Sequence, residues 1–194
     1  FVPHKIICCS NQVRKNFREI GYPDNKLVTI NNGYDFKYLN FDCTLKEKIR
    51  KKYKLNSETI IFGMASRFNE QKDYSNLLRA LKLLTKQKSK NIKFLFAGKG
   101  NVDSNKNLVN LIKEFNLENN IVLLGYMNIK DFFHLIDVHV LSSSHGEGFP
   151  NVVAESMLCK VFSIATDVGE SKNIIESFGC VVKPEDPSAL CDAM

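Results

Sequence analysis

Thr59-Ile60-Ile61-Phe62-Gly63-Met64, a periodic stretch from Tyr74 to Thr85, and Ile92-Lys93-Phe94-Leu95-Phe96-Ala97-Gly98 follow one another along the chain. The two outer runs are apolar and β-prone throughout. In the middle stretch Leu77, Leu78, Leu81 and Leu84 fall on one helical face. Continuous apolar strands joined by an amphipathic helix predict parallel neighbours covered on both faces, because a half-exposed strand would alternate instead. The pattern then repeats. Leu108 to Phe115 reads as a helix, Ile121 to Gly125 as a strand and Asp131 to Ile136 as a short helix. Val138 to Ser142 leads to a helix beginning near Pro150, and Val161 to Ala165 and Cys180 to Val182 complete the series. The expectation is an α/β, Rossmann-like, mainly parallel sheet of roughly six strands between about residues 58 and 183, with helices on both faces. Ligands of such sheets bind outside the carboxyl ends of the strands.

The segment before this series reads differently. Ile6 to Ser10 predicts a strand and Gln12 to Ile20 a helix, followed by the Gly21-Tyr22-Pro23 turn. Leu27-Val28-Thr29-Ile30 and the turn Asn31-Asn32-Gly33-Tyr34-Asp35 then lead into a charged linker. Residues 1–36 are read as the tail of a preceding domain with its interdomain turn, and residues 37–194 as a second domain. The opening Phe1-Val2-Pro3-His4-Lys5 carries no basic leader before an apolar stretch, and the closing Pro187 to Met194 reads as the start of a helix, so both ends read as cut.

Composition narrows the function classes. A chain of 194 residues, 44% hydrophobic, can bury one good core and part of a second. No apolar run approaches a membrane span of roughly 18–20 residues. Cys8, Cys9, Cys43, Cys159, Cys180 and Cys191 show neither CxxC pairing nor a His at ligand spacing, which argues against zinc and for reduced thiols in a cytoplasmic setting. The net charge is +6, with basic runs at Lys46 to Lys54 and Lys82 to Lys90. These read first as the wet faces of helices, and second as surfaces for phosphates or an anionic membrane. Nothing interleaves aromatic and basic residues as a nucleic-acid platform would.

His145-Gly146-Glu147-Gly148-Phe149-Pro150-Asn151-Val152-Val153-Ala154-Glu155-Ser156-Met157 carries the chemistry. Gly148 lets backbone approach a ligand closely, and Pro150 favours the first position of a helix. Glu147 then lies in the loop before the helix and Glu155 in its second turn. Free backbone N–H groups around Phe149, Asn151 and Val152, with Pro150 setting the helix start and donating none, would face the ligand space, an anion site suited to a diphosphate. Two glutamates in an ordinary strand–loop–helix joint are the plain alternative. The internal Gly-Phe-Pro and the preceding apolar strand favour the site.

Glu147-Gly148-Phe149-Pro150-Asn151, followed after three residues by Glu155-Ser156-Met157, resembles the paired-glutamate motif of retaining GT-B glycosyltransferases, family 4 in particular. Gly63 to Asp73 resembles that family's first loop, with Arg67 and, five residues on, Lys72. Phe96-Ala97-Gly98-Lys99-Gly100 resembles its second strand, Gly125-Tyr126-Met127 and Asp137 to Ser142 match further segments, and Asn32-Gly33-Tyr34-Asp35 resembles its interdomain turn. Cys159-Lys160 departs from it, where the family commonly has a Gly after the motif's helix.

The resemblance implies a retaining transfer of a sugar from a nucleotide diphosphate sugar to a hydroxyl acceptor, in glycan or surface-polysaccharide biosynthesis. Residues 37–194 would be the donor-binding domain, and residues 1–36 the end of the acceptor domain. Arg67 and Lys72 would stabilise the departing diphosphate, where negative charge builds in the transition state. Glu147 would meet the donor sugar or its phosphate region, with backbone N–H groups near Phe149 and Asn151. Glu155 would accept from both ribose hydroxyls. Gly98 and Gly100 would leave room for the nucleotide, whose base would lie near Leu124 to Met127. His145 is the weaker phosphate contact.

No metal or other cofactor is expected. The partners implied are the donor and a sugar or lipid-linked acceptor, with peripheral contact at the inner face of a membrane and no nucleic acid. By itself this stretch is expected to bind donor nucleotide without completing transfer. Two alternatives stay open: a non-catalytic nucleotide-binding module, and another GT-B enzyme such as a nucleotide-sugar epimerase or a phosphorylase.

Overall fold

The computed structural model describes residues 3–87 and 91–194. Phe1-Val2 and the Lys88 to Lys90 end of the second basic run lie outside the described residues. The described residues form two sheets. Strands β1 (Ile6–Cys8) and β2 (Leu27–Thr29) pair in parallel, Ile6 against Leu27, through helix α1 (Asn11–Glu19). The larger sheet is six-stranded and all its pairings are parallel.

Helix α2 (Cys43–Lys52) precedes the large sheet. Its elements are β3 (Ile60–Ala65), α3 (Tyr74–Gln87), β4 (Ile92–Ala97), α4 (Lys106–Glu114), β5 (Ile121–Gly125), α5 (Ile129–Leu135), β6 (Val138–Leu141), α6 (Asn151–Leu158), β7 (Phe162–Thr166), α7 (Ser171–Ile175), β8 (Cys180–Val182) and α8 (Pro187–Ala193). The order across the sheet is β5-β4-β3-β6-β7-β8. It reverses between β3 and β6, and a crevice opens at the strands' carboxyl ends where such a reversal occurs.

Alternation along β3 and β4 gives each face of the sheet its own core. Phe62, Met64, Phe94 and Phe96 pack with Leu77, Leu81, Leu108 and Leu190 of α3, α4 and α8. Ile61, Ala65, Leu95 and Ala97 face the other way, onto Phe132, Phe133 and Ile49 of α5 and α2. Gly63 has no room for a side chain. A Cβ there would lie 2.6 Å from Ile136 Cγ2 and 2.7 Å from Phe132 Cζ, so glycine lets α5 press against mid-strand β3.

The charged stretch read as a linker holds helix α2. Asp42 caps it by accepting from Leu45 N, and Ile49 is its buried anchor. Lys46 Nζ and Arg50 Nη1 both reach Asp137 Oδ1 at 2.9 Å, while Asp137 Oδ2 accepts from Ile61 N. Burial pushes the Asp137 carboxyl up, but these donors outweigh it and hold the group below its usual range. The sequence hid this helix because a single buried residue among seven charged or polar neighbours leaves almost no apolar stripe.

Candidate functional site

The loops after β3, β4 and β5 are laced together by backbone. Ser66 N donates to Ala97 O and Phe68 N to Lys99 O; Gly98 N donates to Gly125 O at 2.7 Å. Gly98 has φ +116°, and a Cβ there would meet Ser66 O at 2.2 Å. Gly100 has φ +87° and lies against Phe68. These glycines therefore set the height of the loop that carries Arg67. Asn101, fully buried, ties the same loops: its amide donates to Ser66 O and Ala97 O and its carbonyl accepts from Tyr74 Oη. Burial pushes the Tyr74 phenol up to about 12, so it remains a donor at neutral pH.

Lys72 ends a short 3₁₀ turn, Glu70–Lys72, and two serines after β6 fix that turn. Ser142 Oγ donates to Lys72 O at 2.7 Å, and Ser144 N to Gln71 O at 2.9 Å. This brings Lys72, which follows β3, next to Glu147, which follows β6. Lys72 Nζ hydrogen-bonds Glu147 Oε1, and Ser143 Oγ donates to the same oxygen. The pair straddles the reversal in strand order. Its side chains keep only 12% and 9% of their surface exposed, so water screens it little.

Helix α6 begins at Asn151, one residue later than expected, with Pro150 in the capping position and no side-chain cap. Helices α1, α2, α4, α5 and α8 are each capped by a side chain. Among the described residues, no acceptor meets the N–H groups of Asn151 or Val152. Uncapped N–H groups at a helix start, with the positive end of the dipole, attract an anion. Glu155 sits one turn further along, half-buried, its carboxyl pushed above the usual range by desolvation.

The segment before residue 37 closes on this helix. Asn32 Nδ2 and Tyr34 Oη both donate to Asn151 Oδ1, at 2.7 and 2.8 Å, and the Tyr34 ring stacks on Phe149. Burial, with the nearby Glu155 charge, raises the Tyr34 phenol to about 12. A Cβ on Gly148 would meet Val13 Cγ2 at 2.8 Å, so its neighbour is α1. Glu170, in the loop after β7, accepts from Gln12 N with one oxygen and from Asn173 Nδ2 with the other. Between α1 and the sheet edge lies a cleft of about 540 Å³, with Gln12, Val13 and Asn16 on one wall and Ser144, Glu147 and Gly169 on the other. Small-molecule sites occupy roughly 300–1,000 Å³.

The structure thus joins Lys72 to Glu147 and sets Phe149, Pro150, Asn151, Val152 and Glu155 along one helix start. Arg67 is exposed on the β3 loop, and its guanidinium makes no ion pair or hydrogen bond among the described residues. His145 is exposed and hydrogen-bonded to Ser144. Among the described residues, no three His, Cys, Asp or Glu side chains gather as a metal site would require.

Sequence reasoning passed over Ser143, Asn101 and Glu170, and named Tyr34 only as part of the interdomain turn. Only the Ser142-Ser143-Ser144 run, hydroxyls at the carboxyl end of an apolar strand, offered a signal.

Residues 45–194 match the family described as glycosyl transferases group 1. An uncharacterized glycosyltransferase of Methanocaldococcus jannaschii is 31% identical over 165 residues, 84% of this chain and 39% of that protein. The Staphylococcus aureus capsular polysaccharide biosynthesis glycosyltransferase CapH is 24% identical over 174 residues, 90% of this chain and 46% of that one. The crystal structure of Anabaena HepE with UDP and glucose superposes with a TM-score of 0.87 at 23% identity, over 97% of this chain and 52% of that chain. The chain spans about half, or less, of the length of these relatives.

Proposed function

The chain belongs to the glycosyl transferases group 1 family, and from that premise we propose that it is the donor half of a retaining, family 4-like GT-B glycosyltransferase that takes a sugar from a nucleotide diphosphate sugar. The observation that carries this is the Lys72–Glu147 pair across the reversal of strand order, beside the uncapped start of α6. Transfer leaves a diphosphate. In this reading Lys72 and the N–H groups of Asn151 and Val152 hold its growing charge. Arg67, with no partner of its own, supplies a second cation once a diphosphate gives it one. Glu155 takes the ribose hydroxyls, since its carboxylate is half-buried with no hydrogen-bonded donor among the described residues. Glu147 orients Lys72 and faces the donor sugar. Gly98, Gly100 and Gly148 keep the loops close enough to form these walls.

Residues 1–36 belong, in this reading, to an acceptor domain and residues 37–194 to the donor domain. The separate β1–β2 sheet supports that division. The UDP bound to Anabaena HepE makes UDP the first nucleotide to test here. The role of CapH in Staphylococcus aureus favours a capsular or related surface polysaccharide, built from a sugar or lipid-linked acceptor at the inner face of a membrane. No resident metal is needed where two lysine or arginine cations and a helix start meet the diphosphate.

Calorimetry of UDP, GDP and ADP against the chain tests the site. Arg67→Ala should weaken diphosphates by about 1–3 kcal/mol, the usual strength of charge-assisted hydrogen bonds. Glu155→Ala should weaken monophosphates too. Unchanged binding in both variants would refute the donor-site assignment while leaving the fold intact.

A further inference from the structure

Residues 34–54 hold seven basic and three acidic side chains, a net of +4 in a chain whose total is +6. They run from the Tyr34 turn down the outside of α5 and into α2. Tyr38 Oη accepts from Asn128 at the start of α5, and Lys130 reaches Asn40 Oδ1 and lies over the Tyr38 ring. Phe41 stacks on His134, with Lys160 of the α6 end over its ring. On α2, Leu45 and Ile49 face inward, while Thr44, Glu47, Lys48 and Lys51 recur at helical spacing on the outside, followed by Lys52, Tyr53 and Lys54. Phe36 is 69% exposed, Tyr38 45%, Phe41 39% and Tyr53 38%. Large rings are thus left in water among lysines.

We infer that this face, from Phe36 through α2 to Lys54 with Lys130 and Lys160 beside it, docks on an anionic phospholipid bilayer. Lysines near such a surface are attracted by its negative potential. Aromatic rings settle at the headgroup level, where one side of the ring is apolar and the other wet. Both requirements are met within this one stretch and the lysines beside it, and Lys46 and Arg50, spent on Asp137, are not needed for it. Among the described residues no helix is long and apolar enough to cross a membrane, so the contact is one of surface. The inference deepens the membrane position proposed above. It does not depend on the transfer chemistry, because none of these side chains belongs to the proposed donor site.

Co-sedimentation of the 194-residue chain with vesicles tests it, using phosphatidylcholine alone and with about 30 mol% phosphatidylglycerol. Binding should favour the anionic vesicles by roughly tenfold or more, and should fall when salt rises from about 0.05 to about 0.5 M. Lys48→Ala/Lys51→Ala/Lys52→Ala should cut the partition on the order of a hundredfold. Lys86→Ala/Lys106→Ala/Lys113→Ala removes the same charge from the α3–α4 side and should cut it far less. Phe36→Ser should weaken binding at high salt, where the rings matter most. The inference is overturned if anionic and neutral vesicles bind alike, if the two triple variants lose equally, or if the chain binds duplex DNA but not vesicles at low salt. UDP binding by the α2 triple variant should match the parent; its loss together with vesicle binding would mean a folding defect, and the singly substituted Lys51→Glu then decides.

Discussion

Lys72 and Glu147 attract each other across a gap that the solvent barely reaches, and removing either one tests whether the crevice is built as described. With side-chain exposures of 12% and 9%, an effective dielectric of about 20 and a charge separation of about 4 Å give an attraction of about 4 kcal/mol. Desolvation of both groups takes back a large share of it. Lys72→Met leaves the Glu147 carboxylate with Ser143 as its single donor, and should lower stability by about 2–3 kcal/mol. Glu147→Gln keeps the size and the Ser143 contact but strands an ammonium, for about 1–2 kcal/mol. Lys72→Met/Glu147→Gln removes both charges and should cost less than the sum, with a coupling of about 1–3 kcal/mol. Urea unfolding of the parent and the three variants, with equal slopes required for a two-state reading, gives the cycle. Raising ionic strength should change the coupling little, since screening acts mainly on exposed charges. A sum that adds to within about 0.5 kcal/mol would refute the pair, and with it the closed crevice.

Gly63→Ala should lower stability by about 1–3 kcal/mol in the same assay, because its methyl would overlap Ile136 and Phe132; an unchanged midpoint would mean that α5 stands off β3. Asp137 is held below its usual pKa, so its stabilising effect is present above the unfolded value near 3.8 and is lost as pH falls through the folded one. Asp137→Asn should therefore cost about 1–3 kcal/mol at neutral pH and flatten the acid limb of the stability curve; parallel limbs would refute the assignment. Glu155 has a raised pKa, so its carboxylate takes up a proton at a higher pH than an ordinary glutamate. UDP affinity should begin to fall on acidification while Glu155→Gln shows no matching step, and identical profiles would remove Glu155 from the ribose.

The sheet was legible because its strands are buried on both faces and so are written as unbroken apolar runs. Ile92 to Ala97 could be read on sight, and the helix from Tyr74 carried four leucines on one stripe. One short helix was not legible. Helix α7 has five residues and ends in a positive-φ Glu176 with no glycine to mark it. In the candidate site, the glutamates stood out by their spacing around Gly-Phe-Pro, and Lys72 by the resemblance of its loop to the family's first loop. Ser143 and Asn101 did not, because their importance lies in which backbone they meet, and that is fixed only when β3, β4 and β6 lie side by side. Gly98, Gly100 and Gly148 were legible as special positions. Their neighbours, the Arg67 loop and α1, were not.

Glu170 gives the molecule a mechanical property. Its carboxylate, almost wholly buried, sits on the second N–H of α1, and α1 forms the opposite wall of the cleft from the loop that holds Glu170. Widening the cleft therefore breaks this one bond, while the Ser10 cap on Val13 N stays in place. A hydrogen bond to a charged group is worth about 1.5–3 kcal/mol net of rehydration, so the resistance is small. The jaw works as a light catch: stiff enough to rest shut, weak enough for one well-placed ligand to spring.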